Sequence, residues 1–567
     1  MKVVIVGGVA GGATAAARLR RLDESAEIII LERSGYVSYA NCGLPYYVGH
    51  VIEDAAQLTL QTPEQFRARF GIDVRVHHEV TALHPQRKSV SVRNLESGAV
   101  YEESYDKLLL SPGAKAVQPP LPGADDPRVF TLRTVEDTLR IRQYLDTQHP
   151  RRALIIGGGF IGLEAAENLM HAGVQTTLVQ LDNQLMPPLD YDMATALHAY
   201  LREKGLQLYL QESAVSVFSS AAGLTVQLKS GKAVETDLLL VAVGVAPDTK
   251  LAKEAGLTLG IKDSIVVDEH MQTSVPDIYA VGDAVQVRQF VTGQSALISL
   301  AGPANKQGRI AADNLCGIPS VFRGTQGASV LKLFDMTVAS TGINEKTAAA
   351  AGLSYDKVVT FSPSHATYYP GATNMTIKTL FEPETGRILG AQITGFEGVD
   401  KRIDDLSIAI RAHMTAADLA ELELSYAPPY SSAKDPVNMA GFVIENVRSG
   451  LVKQCHWDAY AQLPRDGSVQ FLDVRTAEEV TQAPMPEGTI HIPLDVLREH
   501  LHQLRTDKPV YVNCYSGLRS YLACRILSQH GFICYNLSGG SRFYQQIMDE
   551  QHFDAAPRHA CGIDLSR

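Results

Sequence analysis

Two cysteines of this chain have neighbours suited to sulfur chemistry. Cys42 lies in Ser38-Tyr39-Ala40-Asn41-Cys42-Gly43-Leu44-Pro45-Tyr46-Tyr47, with no second cysteine four residues away to close a disulfide. A thiol so placed holds its oxidised state as a mixed disulfide, a sulfenic acid or a persulfide. Cys514 opens the loop Cys514-Tyr515-Ser516-Gly517-Leu518-Arg519, between a strand-like run and a helix. At such a turn a thiol faces several amides and the positive end of a helix dipole, which stabilises the thiolate. Arg519 adds positive charge. A loop of this length suits a sulfur atom, whereas phosphatase loops built on cysteine and arginine are longer. Cys316, Cys455, Cys524, Cys534 and Cys561 have no such setting and read as ordinary residues.

The elements that must position these thiols start with two glycine-rich turns. Val3 to Val6 runs into Gly7-Gly8-Val9-Ala10-Gly11-Gly12, followed by a helical stretch and a second strand ending at Glu32. Glycines let backbone approach a pyrophosphate, the helix N-terminus supplies amides, and a carboxylate after the second strand binds ribose hydroxyls. Val9 replaces the middle glycine of the fingerprint. The pattern repeats, complete, at Gly157-Gly158-Gly159-Phe160-Ile161-Gly162-Leu163-Glu164. Its second strand ends at Gln180 where an acid would favour an unphosphorylated ribose, with Asp182 two residues on, so NADH and NADPH both stay open.

Two further motifs follow, Val243-Gly244-Val245-Ala246-Pro247 and Thr273 to Gly282-Asp283. These four motifs in this order resemble the flavin disulfide reductases over residues 1 to about 450. The resemblance implies FAD on the first unit, held by Gly7, Gly8, Ala10, Gly11, Gly12, Glu32, Arg33, Asn41, Val80, Ser111, Gly113, Arg133, Gly282 and Asp283. It implies NADH or NADPH on the second, held by Gly157, Gly159, Phe160, Ile161, Gly162, Glu164, Gln180 and Gly244. Phe160 reads either as a gate over the nicotinamide slot or as a packing residue.

Within that family the runs Gly7 to Thr14 and Ser38 to Tyr46 resemble coenzyme A disulfide reductases. Single-cysteine peroxidases and oxidases of the same fold carry a histidine in the first glycine loop. Ala10 stands there, which removes the acid–base partner for peroxide. The resemblance implies coenzyme A contacts from Arg18 and Arg21, three apart on one helix face, from Ser38 and Asn41 beside the thiol, and from Lys306 and Arg309. By spacing alone the two arginines equally suit a solvated basic face. The family's basic residue before Ile72 has no clear counterpart. Two tyrosines from a partner subunit reach over the cysteine in this family, which nominates Tyr368 and Tyr426 and leaves Tyr369 as an alternative to Tyr368.

From about residue 449 the pattern changes. Asp473-Val474-Arg475, Gly488 to Leu494, the Cys514 loop and Leu537-Ser538-Gly539-Gly540 resemble, in order, a rhodanese domain. The expected fold is α/β: two Rossmann-like FAD and NAD(P) domains, an α+β dimerisation domain and a C-terminal α/β rhodanese domain. The expected division is 1–149 with 245–322 for FAD, 150–244 for NAD(P)H, 323–448 for dimerisation, 449–463 as linker and 464–567 for rhodanese. The expected activity is NAD(P)H-dependent reduction of coenzyme A persulfide or polysulfide with release of hydrosulfide. Reduction of coenzyme A disulfide, with the rhodanese part as sensor or docking module, is the alternative.

Composition bounds these readings. The 567 residues exceed one core, and a formal charge of −11 argues against nucleic acid as the main partner. No apolar run is long enough to span a membrane. The start enters a strand directly, unlike a signal peptide. The odd, scattered cysteines suit reduced thiols, so a cytoplasmic protein is expected; the family resemblance implies a homodimer, and no metal site is expected.

Overall fold

The computed structural model describes residues 1–553. Its contacts form two units, one of Met1–Asn183 with Leu206–Gly327, the other of Gln184–Gly205 with Ala328 onward.

The first unit is one architecture used twice. Lys2–Val6 and Glu27–Leu31 are β-branched or leucine-rich and almost wholly buried, the pattern of strands covered on both faces. They lie in a parallel sheet ordered Ile278–Ala280, Lys107–Leu110, Lys2–Val6, Glu27–Leu31 and Asp73–Arg75. The second parallel sheet runs Gln207–Tyr209, Gln175–Val179, Arg152–Ile156, Leu238–Val241 and Val129–Phe130. Each has a three-stranded antiparallel companion, His78–His84 with Ser89–Asn94 and Val100–Ser104, and Ala214–Ser220 with Gly223–Leu228 and Ala233–Thr236. Ala114–Ala116 pairs with Val245–Pro247 where the chain crosses between the halves.

The glycines at both strand-to-helix junctions are obligatory. Gly7 and Gly157 have φ of 94° and 109°. A Cβ on Gly12 would stand 2.0 Å from the Gly7 carbonyl oxygen, and one on Gly162 equally close to that of Gly157. Helices Gly11–Leu22 and Phe160–His171 can therefore start tight against their strands.

The second unit holds two sheets. One is antiparallel, ordered Ser329–Leu333, Met336–Gly342, Ile388–Gly395, Asn374–Phe381 and Asp356–Pro363. The other is parallel, ordered Gln454–Cys455, Cys534–Leu537, Val510–Asn513, Gln470–Asp473 and Thr489–His491. The α/β class and the succession of parts match the expectation. Among the described residues no helix is long and apolar enough to cross a membrane. Cys561 lies outside the described residues.

The helix Tyr191–Glu203 packs with this second unit through buried ions. The Lys378 ammonium, with no exposed surface, contacts Asp190 at 3.0 Å, Asp192 at 2.7 Å and Glu345. Lys357 also pairs with Glu345, at 2.7 Å. Burial opposes the Lys378 charge, but three carboxylates outweigh it and its pKa is raised. Burial likewise opposes the Glu345 carboxylate, and the two lysines outweigh it, leaving its pKa at about 2.

Removing one partner strands the others' charge. Lys378→Met is expected to destabilise the folded chain by about 3–5 kcal/mol at neutral pH, measured by urea unfolding. Glu345 titrates below its ordinary 4.5, so its contribution is complete above that value and disappears as pH falls through 2. Without Lys378 the stranded carboxylates become easier to protonate, so the deficit should shrink as pH is lowered from 7 towards 5. A deficit independent of pH would contradict this electrostatic account.

Candidate active site

The first glycine loop and the Cys42 turn are tied by backbone: the Ser38 N–H donates to the Gly8 carbonyl at 2.9 Å. Asn41–Gly43 form a 3-10 turn that leads into the short helix Leu44–Val48, with Pro45 in its first turn. Cys42 is exposed at this turn. The Asn41 amide meets Arg133, accepting from Nη1 at 2.9 Å and donating to the Arg133 carbonyl at 3.2 Å. Arg133 in turn pairs with Asp283 at 2.7 Å.

Other residues expected to hold FAD fall in the same neighbourhood. Glu32 accepts from the Gly8 N–H at 2.9 Å, and Ser111 Oγ accepts from the Gly12 N–H at 3.1 Å. Gly113 and Gly282 have positive φ, and Gly113 lies beside Arg133. Arg33 pairs with Asp248, and Val80 is buried in the apolar cluster behind the sheet. The N-cap residue of the helix starting at Gly11 makes no side-chain bond, so apart from the Gly12 N–H held by Ser111 its first amides are open to a pyrophosphate. These residues fit FAD.

The second loop repeats the arrangement. Gln180 Oε1 accepts from the Gly158 N–H at 2.9 Å, as Glu32 does from Gly8, and it brings no charge. The helix beginning at Phe160 is also uncapped, and a Cβ on Gly159 would meet nothing. Gly244 has φ of 111° and open space around it. Ile161 lies in the first turn of the helix, and Phe160 is half-buried. The donor set fits a nicotinamide dinucleotide.

The helix Phe160–His171 does more than start a nucleotide loop. It packs against Leu44–Val48, where a Cβ on Gly49 would collide with Asn168. This brings the Glu164 carboxyl into the neighbourhood of Cys42 and Tyr46. Burial, with the neighbouring Glu167, lifts the Glu164 carboxyl to about 7, and burial with Glu164 pushes Tyr46 to about 12. Burial and the Glu164 charge also raise the Cys42 thiol above its ordinary range, and Arg133 opposes them. The surrounding side chains favour the thiol over the thiolate.

Of the residues expected to meet coenzyme A, Arg18 donates to Asp313 at 2.8 Å and Arg21 is exposed. Asp313 lies on the helix Ala301–Leu315, which packs against Gly11–Leu22 and carries exposed Lys306 and Arg309. Between the two arginines, Arg20 turns inward and donates to the carbonyls of Phe70, Gly71, Asp23 and Glu24. It closes the segment before Ile72, where no family counterpart was apparent.

In the second unit the Tyr368 and Tyr426 hydroxyls hydrogen-bond at 2.8 Å, and both rings are exposed. Tyr369 instead packs on His365. The buried Arg402 joins the two loops. Its guanidinium donates to the Ser364 and Tyr430 carbonyls, to Ser431 and to Asp435. The sequence carries no local sign of this role.

Cys514 has no exposed surface. Its Sγ accepts from the Gly517 N–H at 3.1 Å and from the Ser520 hydroxyl at 3.3 Å, as the turn predicts. The charge of Arg519 acts on Cys514, but it is shared. Its guanidinium forms a two-pronged pair with Glu479 at 2.7 and 2.6 Å, which offsets the positive charge assigned to the thiol. Arg475, fully buried, is bound to Asp473. A cavity of about 520 Å³ opens beside the loop, lined by Arg475, Met485, Tyr515, Arg542 and Gln546 among others.

Replacing Glu164 by Gln removes the charge that disfavours the Cys42 thiolate. Cys42 in Glu164→Gln is therefore expected to react with iodoacetamide at lower pH than in the wild type. An unmoved or rising alkylation pH would show that Glu164 does not act on the thiol.

Comparisons with known proteins agree with this geometry. Residues 1–308 match the model described as pyridine nucleotide-disulphide oxidoreductase, and residues 329–436 match the dimerisation domain of that family. Residues 457–546 match the rhodanese-like domain. Coenzyme A disulfide reductase of Staphylococcus haemolyticus is 37% identical over 442 residues, 78% of this chain and 98% of that protein. The structure of reduced Bacillus anthracis CoADR-RHD aligns with a TM-score of 0.95 at 46% identity, covering 97% of this chain and 98% of the other. A NAD-dependent persulfide reductase from A. fulgidus aligns with a TM-score of 0.90 at 38% identity, covering 96% and 100%.

Proposed function

From the premise that this chain belongs to the pyridine nucleotide-disulphide oxidoreductase family, we propose that it reduces coenzyme A persulfide or polysulfide with NADH or NADPH and releases hydrosulfide. The observation that carries this reading is the presence in one chain of two differently placed thiols. Cys42 is an exposed single thiol bound to the first glycine loop, and Cys514 is cradled by an amide and a hydroxyl. The relative that is a persulfide reductase, and the rhodanese-like match, support it.

In this reading Cys42 attacks the sulfur bound to coenzyme A, the sulfur–sulfur bond of the persulfide breaks, and hydrosulfide leaves. Cys42 is then disulfide-linked to coenzyme A. When bound, FAD and the nicotinamide supply the two electrons that return both thiols. Tyr368 and Tyr426 of a partner subunit donate a proton to the leaving sulfur. Arg18, Arg21, Lys306 and Arg309 hold the phosphates of coenzyme A, and Ser38 and Asn41 line its pantetheine arm. Cys514 carries a sulfane sulfur and passes it to coenzyme A, whose long arm serves both sites. The enzyme acts as a cytoplasmic homodimer, with the domain division given above.

Reduction of coenzyme A disulfide is the second reading, favoured by the staphylococcal relatives. It leaves the rhodanese part as a sensor or a docking module. Following NADH or NADPH oxidation with coenzyme A persulfide, coenzyme A disulfide, polysulfide and peroxide in parallel separates these readings. Hydrosulfide release marks the first and free thiol alone marks the second. Peroxide should be the poorest substrate, since Ala10 offers no acid–base group.

Cys42→Ser should keep the fold and lose turnover with every disulfide or persulfide, and persistent persulfide turnover would refute the mechanism. Cys514→Ser should abolish sulfur transfer from thiosulfate-like donors while sparing small persulfides at Cys42.

Arg18→Ala and Arg21→Ala should raise KM for coenzyme A substrates about tenfold each, the scale of a lost charge-assisted phosphate contact. KM for inorganic polysulfide should hardly move. Equal losses for both substrates would show that the arginines support the fold.

A further inference from the structure

Two cysteines that the sequence leaves without a setting meet behind the Cys514 turn. Cys524 lies on the inner face of the helix Leu518–Gln529, and Cys534 opens the strand Cys534–Leu537 packed against it. They are 2% and 7% exposed. The Cys534 Sγ donates to the Cys524 carbonyl at 3.3 Å, which seats its thiol against the residue that carries the other. Cys524 follows Ser520 by four residues, so the two share a helix face. Ser520 is the residue whose hydroxyl touches the Cys514 sulfur. One helical turn therefore joins the thiol pair to Cys514.

The two thiols are not equivalent. The hydrogen bond with Cys524, helped by Arg525 and Lys453, draws Cys534 below the ordinary thiol range. The interaction with Cys534, together with burial, holds Cys524 well above it. A thiol pair with such unequal surroundings has the asymmetry of a nucleophile with its resolving partner.

We propose that Cys524 and Cys534 form a second thiol redox site, which closes to an intrachain disulfide with small oxidants of the peroxide or inorganic polysulfide class and so slows sulfur transfer at Cys514. With peroxide, the Cys534 thiolate takes one oxygen, becomes a sulfenic acid and, with one proton, releases water. The Cys524 thiol then attacks that sulfur, the S–S bond forms, and the oxygen leaves as a second water. With a disulfane, the Cys534 thiolate takes one sulfur and expels hydrosulfide. Cys524 then displaces the attached sulfur as hydrogen sulfide. In both cases two thiols lose two electrons to the oxidant. The near-complete burial of both sulfurs restricts the reaction to oxidants of this size. The disulfide fixes the helix to the strand, and the first turn of that helix carries Ser520. The effect on transfer rests on the reading of Cys514 as a sulfur carrier, whereas the disulfide itself does not.

The test treats the full-length flavoenzyme with hydrogen peroxide or inorganic polysulfide, blocks free thiols, and maps disulfides by non-reducing peptide mass spectrometry. A linked Cys524–Cys534 peptide is expected in the wild type and in Cys514→Ser, reversed by dithiothreitol. Sulfur transfer from thiosulfate should fall several-fold in the oxidised wild type, recover on reduction, and escape the loss in Cys534→Ala. Two alkylatable thiols remaining at 524 and 534, under oxidant that fully modifies Cys42, would overturn the site. A linked peptide with undiminished transfer would overturn the regulatory effect. No transfer in the untreated enzyme would refute the reading of Cys514, and the mapped peptide would still decide the dithiol.

Discussion

A backbone amide at the start of a helix must either be capped or be offered to something else, and three uncapped strand-to-helix turns of this chain show what that something can be. At Gly7–Gly12 and Gly157–Gly162 the glycines bring the helix so close to the strand that a methyl group would collide with a carbonyl. At Cys514–Gly517 the freed amide turns onto a sulfur instead. Gly540 protects that turn in the same way, since a Cβ there would stand 2.6 Å from the Cys514 carbonyl oxygen and 2.7 Å from the Gly517 nitrogen. The expected nucleotide and sulfur-carrier sites lie at these junctions. The parallel sheets set their position, and the side chains around them set what each is offered to.

Features written in consecutive residues were legible in the sequence. The two glycine fingerprints, the single thiol at Cys42 and the Cys514 turn all depend on local spacing, and the folded chain has them as read. Arg519 was legible as a residue but not as an interaction, because Glu479 lies 40 positions away. Glu164 was readable as part of a nucleotide loop. Its second role, beside Cys42 and Tyr46, exists only because two helices distant in sequence pack together. Arg20 and Arg402 gave no signal either, since an arginine that donates to carbonyls of other segments looks like any surface arginine in a string of letters. Cys524 and Cys534 belong with these, as ten residues and a turn separate a thiol from the carbonyl it donates to.

Buried charge is held in two ways. In the first, Arg20 and Arg133 bind backbone carbonyls, an amide and one carboxylate, so each charge is spread over several partners. In the second, Lys378 gathers three carboxylates from two segments. Such a cluster adds little net stability compared with apolar packing of the same volume, but it is intolerant of losing a member. It makes the seating of Tyr191–Glu203 specific, because an alternative packing would leave carboxylates without their cation.

The hydrogen bonds of Arg402 have a consequence for the entropy of the tyrosine pair. Loops that carry exposed aromatic rings ordinarily sample many conformations, and ordering them on encounter costs about 0.5–1.5 kcal/mol for each side chain immobilised. Here one buried guanidinium fastens the loop after Ser364 to the loop before Ser431, and the two phenols hold each other at 2.8 Å. That ordering is complete within a single subunit, before any other surface arrives. The pair is thus presented already ordered, with its conformational freedom surrendered during folding.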